Sequence, residues 1–283
     1  ASSSNTLYIE QTGDSNTALV QQNAGTGGND VGKIGAPVLQ QGNLNSFSET
    51  QSTGGGFSRG NNDIWAVTQL GNSNSFSSNY SNNAGDNRIE SLLQYGNNNY
   101  AAIGRNNQRS GVIGTIVQGD EATAAVGGNR NFLSISQTTS YLPGSQPAFT
   151  AGNSVLLVKQ IGSNNGRSSV NDYNGGTQIS QGGNGNVVQE AVIVGSNNNA
   201  AGSLWNTQVH LIKQRGLNNG DEHSIARTTG SGGNYIHVDQ DGTSNQFDLQ
   251  QGLSVASIGN RIDAGQIGAG NDVTGLQLGD YNT

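Results

Sequence analysis

From Asn234 to Gln251, every second residue is apolar or a carboxamide: Asn234, Ile236, Val238 and Gln240, then, past a turn at Gly242, Asn245, Phe247, Leu249 and Gln251. The same alternation runs through Asn5, Leu7, Ile9, Gln11, Gly13, Asn16, Ala18, Val20 and Gln22. It returns at Asn260, Ile262, Ala264, Gln266, Gly268, Asn271, Val273, Gly275 and Gln277. A period of two belongs to a strand with one buried face; a helix would repeat its apolar residues at i+3 and i+4. Each copy therefore predicts a strand, a tight arc and a second strand. A lone hairpin of this kind is marginal in water, so the copies must stack on one another to close a core.

The phrase Gln-x-Gly-x-x-Asn marks the arcs. It occurs at Gln11-Gly13-Asn16, Gln40-Gly42-Asn45, Gln69-Gly71-Asn74, Gln94-Gly96-Asn99 and Gln160-Gly162-Asn165. Further copies are Gln181-Gly183-Asn186, Gln214-Gly216-Asn219, Gln240-Gly242-Asn245, Gln266-Gly268-Asn271 and Gln277-Gly279-Asn282. Degenerate copies around Gln118 and Gln137 fill the gap between Gln94 and Gln160. A short motif recurring through a chain is the mark of a stacked repeat architecture. The expectation is an all-β solenoid over residues 1–283, a single repeat domain of about eleven rungs. Two parallel sheets would enclose a thin core, on the order of 50 Å long at roughly 4.8 Å per strand.

Gln to Asn is five residues in every complete phrase, whereas successive rungs are separated by variable intervals. The first arc is thus expected to be constant and the second to take the insertions. Residues 23–33, 52–62, 81–86, 138–152 and 228–233, rich in Gly, Ser, Asn or Thr, are expected to protrude from one edge.

Gln and Asn share the parity of the apolar residues and are expected to face inward. A buried amide is costly unless bonded. Stacking the same amide in every rung lets each bond its equivalents above and below, and it locks the register. Gly at the third position permits a positive φ. Glu49, Arg105, Arg167, Glu190 and Asp221 also fall at inward parity. Unpaired buried charge is costly, so either the register slips locally at these positions or pairs form, with Arg167 and Glu190 on adjacent rungs within diagonal reach of one another.

Composition narrows the function classes. Apolar residues are only 31% and charged residues 11%, with 44 Gly, no Cys and no Met. A net charge of −7 disfavours nucleic acid, which requires clustered cations. No apolar run reaches the roughly 20 residues of a membrane helix. The opening Ala1-Ser2-Ser3-Ser4 suits a secreted chain after leader removal. His210, His223 and His237 do not share a face, so neither a metal nor another cofactor is expected. Gly182-Gly183-Asn184-Gly185-Asn186 lacks the Asp of a calcium-binding nonapeptide. An enzyme would need converging carboxylates or a nucleophile–base set, and no such cluster is visible. A monomeric spacer or adhesin, an ice- or surface-binding solenoid and a carbohydrate-cleaving β-helix remain as alternatives. Neither outer strand is masked by a helix, a basic run or Pro, which points to stacking between copies.

The pattern Asn-x-φ-x-φ-x-Gln-x-Gly-x-x-Asn-x-Ala-x-φ-x-Gln resembles the curlin repeat of curli fibre subunits, over residues 5–282. This chain has Asn where that family usually has Ser, and it has more and longer rungs than familiar members. The resemblance implies the structural subunit of an extracellular bacterial amyloid fibre supporting biofilm, adhesion and aggregation. It also implies a nucleator subunit and an outer-membrane secretion pore as partners.

Overall fold

The computed structural model describes residues 5–23, 29–52, 62–81, 87–106, 111–119, 131–138, 153–160, 177–184, 186–194, 210–217, 219–220, 224–229, 235–251 and 260–278. Strands and turns make up these residues, with no helix among them. Every strand pairing between them is parallel, apart from a single antiparallel bridge between Lys33 and Ala36. The strands form two sheets, one of fourteen strands and one of nine, as a β-solenoid.

The chain alternates between the sheets. The first sheet takes Thr6–Leu7 and Ile9–Thr12, Asp30–Val31 and Val38–Gln41, Asn62–Ile64 and Val67–Leu70, then Asn87–Tyr95 and Val112–Gln118. It continues with Ser154–Gln160, Val187–Val188 and Glu190–Val194, Ser224–Thr229, Gln246–Gln251 and Asp272–Gln277. The second sheet takes the strands between them: Thr17–Asn23, Ser46–Ser52, Ser75–Ser81, Tyr100–Asn106, Phe132–Thr138, Thr177–Asn184, His210–Leu217, Tyr235–Thr243 and Arg261–Ala269. Nine strands in that sheet replace the eleven rungs expected. Val112–Gln118 and Phe132–Thr138, and likewise Ser154–Gln160 and Thr177–Asn184, each counted from the sequence as two rungs, are the two halves of one coil.

The core is the space between the sheets. Val38, Phe47, Ile64, Phe76, Ile89, Leu92, Leu133, Ile179, Ile212, Val238 and Phe247 are buried there. Burial of each such side chain contributes about 1.5–3 kcal/mol. In the end coils, Ile9, Val20, Ile262, Ala264 and Val273 are only partly covered, because a neighbouring coil lies on one side alone.

The first sheet departs from strict period two at one level. Inward Ile64 and Val67, Ile89 and Leu92, Ile113 and Ile116, Val155 and Val158, and Val188 and Ala191 are each separated by two residues. The extra residue recurs at the same height in consecutive coils, so neighbouring strands stay in register while each one kinks. Gly114 lies in this stack, where a Cβ would come within 2.4 Å of the Leu156 carbonyl oxygen. The preceding coil fits six residues, Gly32–Pro37, between Val31 and Val38.

The phrase changes sheet along the chain. Gln11, Gln40, Gln69, Gln94, Gln118 and Gln160 lie in first-sheet strands, whereas Gln137, Gln181, Gln214, Gln240 and Gln266 lie in second-sheet strands. The short arc therefore passes from first sheet to second at Gly13, Gly42, Gly71 and Gly96, and from second to first at Gly183, Gly216, Gly242 and Gly268. In parallel sheets these two kinds of connection fall at opposite edges. The strands that flank the insertions expected on one edge are accordingly of both kinds. Residues 24–28, 53–61, 82–86 and 139–152 join second sheet to first, while residues 230–234 join first to second. These insertion residues are outside the described residues.

Candidate functional site

The glutamine side chains form two bonded columns, one per sheet. In the first, Gln11 Nε2 donates to Gln40 Oε1 at 2.5 Å, Gln40 to Gln69 at 2.7 Å, Gln69 to Gln94 at 2.8 Å and Gln94 to Gln118 at 2.8 Å. Gln160 aligns with Gln118 in backbone register. Ile193 and Thr228 occupy the next positions, and the column resumes with Gln251 donating to Gln277 at 2.9 Å. In the second column Gln22 donates to Gln51 at 3.1 Å. Tyr80 and Arg105 interrupt it, and it continues from Gln137 through Gln181, Gln214 and Gln240 to Gln266.

Each amide also spans the core. Gln40 donates to the Thr17 carbonyl at 3.1 Å, Gln69 to Ser46 at 3.0 Å, Gln94 to Ser75 at 3.0 Å and Gln214 to Val187 at 2.8 Å. One N–H thus reaches the residue just past the arc of the preceding coil while the other binds the glutamine of the next coil, as Gln40 does with Thr17 and Gln69. Every amide–amide bond runs from the earlier coil's N–H to the later coil's oxygen, so both columns are polar along the axis.

The asparagines form a complementary set of opposite polarity. Asn16 Oδ1 accepts from the backbone N–H of Asn45 at 2.9 Å, Asn45 from Asn74 at 3.0 Å and Asn74 from Asn99 at 3.1 Å. Asn186 accepts from Asn219, Asn219 from Asn245 and Asn245 from Asn271, at 3.0–3.1 Å. Their Nδ2 groups bind the arc of the next coil, as Asn45 does the Gly71 carbonyl at 2.8 Å. Gly162 and Asn165 lie outside the described residues.

The arc glycines are held by close approach as well as by φ. Gly71 has φ 119°, and a Cβ there would sit 2.0 Å from the Gly96 carbonyl oxygen; a Cβ on Gly242 would sit 1.8 Å from the Gly268 carbonyl oxygen.

Other features went unseen in the sequence. Ser15, Leu44, Ser73, Asn98 and Ser244, each just before the arc Asn, also take positive φ of 54–59°. Asn43, Asn72 and Asn97 build a third, exposed ladder, with the Asn43 and Asn72 backbone N–H groups each donating to the next Oδ1 at 2.8 Å. Their recurrence just after the arc glycine was the available signal.

The charges at inward parity resolve in two ways. Glu49 and Arg105 are fully buried. Glu190 is not inward: the extra residue in its strand turns it to the outer face, where Arg227 donates to it at 2.5 and 2.9 Å. The bond to Glu190 holds the Arg227 guanidinium above its ordinary pKa. Glu190 therefore pairs with Arg227 on the next coil; Arg167 and Asp221 lie outside the described residues. His237 Nδ1 lies 3.1 Å from Asp263, and among the described residues no group of His, Asp and Glu is arranged to hold a metal ion. The His210 backbone is paired in its strand, and His223 lies outside the described residues.

No family model, curated protein or solved structure matches this chain, so the likeness to curlin repeats rests on the repeat residues alone.

Proposed function

We infer that the chain is a structural subunit that stacks end to end with copies of itself into a secreted, curli-like amyloid filament, serving biofilm matrix, adhesion and cell aggregation. A nucleator and an outer-membrane secretion pore would be its partners, and the role is mechanical rather than catalytic.

One observation carries this reading: the outermost described strands are complementary in chemistry and register. At one end, Gln11 and Gln22 have given their N–H groups to the next coil and turn amide oxygens outward. At the other, Gln266 and Gln277 accept from Gln240 and Gln251, and each keeps an N–H beyond its bond to a carbonyl. Setting Gln277 over Gln11 places Val273 over Leu7; setting Gln266 over Gln22 places Ala264 over Val20 and Ile262 over Ala18. Asn271 Oδ1 stands where Asn186, Asn219 and Asn245 each accept the next coil's N–H, and Asn5 of a second copy would supply one. Head-to-head contact would oppose oxygen to oxygen. A heterologous contact of this kind does not close and so propagates.

Dilute purified protein should develop thioflavin fluorescence with time, and a reconstruction of the filaments should show Gln277 one strand spacing from the next copy's Gln11. The Gln246 N–H donates to the Asn271 carbonyl, so the N–H groups of alternate residues such as Thr274 point to the free edge; Thr274→Pro removes one of these and should stop elongation while leaving a folded monomer. A wild-type chain that stays monomeric would favour an isolated spacer or adhesin. The ice- or surface-binding alternative has some support in the outward Ser46, Ser48 and Thr50 beside Ser75 and Ser77. Ala102 and Gly104 break that rank in the next coil.

A further inference from the structure

The break in the second amide column holds a group that neither the ladders nor the end contacts use. Tyr80 and Arg105 stand where glutamines would continue from Gln51 to Gln137. Arg105 takes over one amide function: its Nη1 donates to the Gly111 carbonyl at 3.0 Å, as Gln51 Nε2 does to the Asn62 carbonyl at 2.8 Å. Its second nitrogen donates to the Arg88 carbonyl at 3.1 Å, and its guanidinium carbon lies 5.1 Å from the Tyr80 ring centre. Glu49 lies one inward position before Gln51 and pairs in register with Ser78.

The polar atoms of this cluster are poorly satisfied. Both Glu49 carboxyl oxygens, the Ser78 and Tyr80 hydroxyls and Arg105 Nε are buried without a hydrogen-bond partner. Along the strand Glu49 lies between Phe47 and Gln51, and across it faces Val20 and Ser78. The flanking strands Thr17–Asn23 and Ser75–Ser81 bring one ionisable group, Tyr80. In the facing strands of these coils, Asp30–Val31, Val38–Gln41, Asn62–Ile64 and Val67–Leu70, the ionisable groups are Asp30 and Asp63, which alternate with inward Val31 and Ile64 and so point away from the core. Arg105, two coils on, is the cation that acts on Glu49.

A carboxylate without hydrogen bonds in an apolar layer is far costlier than a neutral carboxyl, and a cation two coils away offsets only part of that cost. We propose that Glu49 enters the core protonated, so that closing the coils around residues 46–106 takes up a proton and their folding weakens as pH rises. Burial pushes the Glu49 carboxyl well above its ordinary range, against smaller opposing effects of Ser78 and Arg105. Burial likewise raises Tyr80 and lowers Arg105. The sign follows from linkage. Above the pKa of a free Glu, about 4.3, the unfolded chain has lost the proton that the folded chain keeps. The stabilisation is complete below that value and is lost as pH rises towards the folded pKa. This inference does not depend on filament formation.

Hydrogen exchange of the amides in Phe47–Gln51 and Phe76–Tyr80, corrected for intrinsic rates, reads the opening equilibrium of these coils. Protection should fall by up to about tenfold per pH unit between pH 5 and 8, the limit for one proton. Glu49→Gln, which keeps shape and removes titration, should flatten that dependence. A wild type without pH dependence, or a Glu49→Gln protein as steep as wild type, overturns the proposal. A second measurement stands even if the variant fails to fold. Isotope-edited infrared spectra of 13C-glutamate-labelled wild type at neutral pH should contain a protonated carboxyl C=O band from its glutamates, and its absence overturns the proposal as well.

Discussion

Gln118 and Gln137 lie in the same coil on opposite sheets. Gln118 receives the first column's bond from Gln94 at 2.8 Å, and Gln137 donates to Gln181 at 2.8 Å in the second. Across this coil and the next, which carries Gln160 in the first sheet and Gln181 in the second, the repeating phrase passes from one sheet to the other, and the short arc changes edge with it.

The columns make interior glutamines far more sensitive than end ones. Gln69 is fully buried, accepts from Gln40 and donates to Gln94 and Ser46. Gln69→Leu strands these partners at about 1–3 kcal/mol each. Denaturant unfolding should show a loss above about 2 kcal/mol, whereas Gln11→Leu at the exposed end should cost under about 1 kcal/mol. Equal losses at the two sites would exclude the columns as a source of stability.

Gly71→Ala tests close approach separately from φ. At Gly71 the added methyl meets the Gly96 oxygen at 2.0 Å; at Gly35, with φ 82°, nothing lies within 4 Å. Gly35→Ala should cost only the left-handed penalty of about 1–2 kcal/mol. Gly71→Ala should lower the melting temperature much further, because the neighbouring coil must separate.

The Glu190–Arg227 pair is short, but its side chains are 22% and 40% exposed. Solvent screening at such exposure limits an ion pair to about 1 kcal/mol or less. Glu190→Gln should therefore change unfolding free energy by less than about 1 kcal/mol, and the difference should shrink at high salt. A loss several times larger would mean that the pair acts as a buried one.

The Tyr80 hydroxyl is buried without a partner, so Tyr80→Phe removes an unsatisfied group from the core. Stability at neutral pH should rise by about 1 kcal/mol or stay level. Burial raises the Tyr80 pKa. The folded chain thus keeps this proton where an unfolded tyrosine, near 10, loses it, and the associated stability disappears as pH climbs beyond that value. Alkaline titration followed by phenolate absorbance should give the same folded-state signal for wild type and Tyr80→Phe, with a difference of one tyrosine only after unfolding.

Strand, arc and inward amide were legible because each is a local property. Period two selects a strand, Gly allows a positive φ, and an amide in phase with Phe247 or Val238 must face the core beside it. The outward turn of Glu190 was not legible by strict alternation, although the pairs Ile64–Val67 and Ile89–Leu92 carried the signal of an extra residue. The pairing of Glu190 with Arg227 needed both that kink and the register between two strands.

The sequence alone thus determined that this chain is a stacked β structure, and which face of each regularly alternating strand is buried, since side-chain alternation and turn stereochemistry act within a few bonds. Only the tertiary structure decided which strand halves share a coil, which sheet each glutamine joins and what stands beside Glu49. An arc of the same length can lead from either sheet to the other, and the choice lies in pairing between strands tens of residues apart.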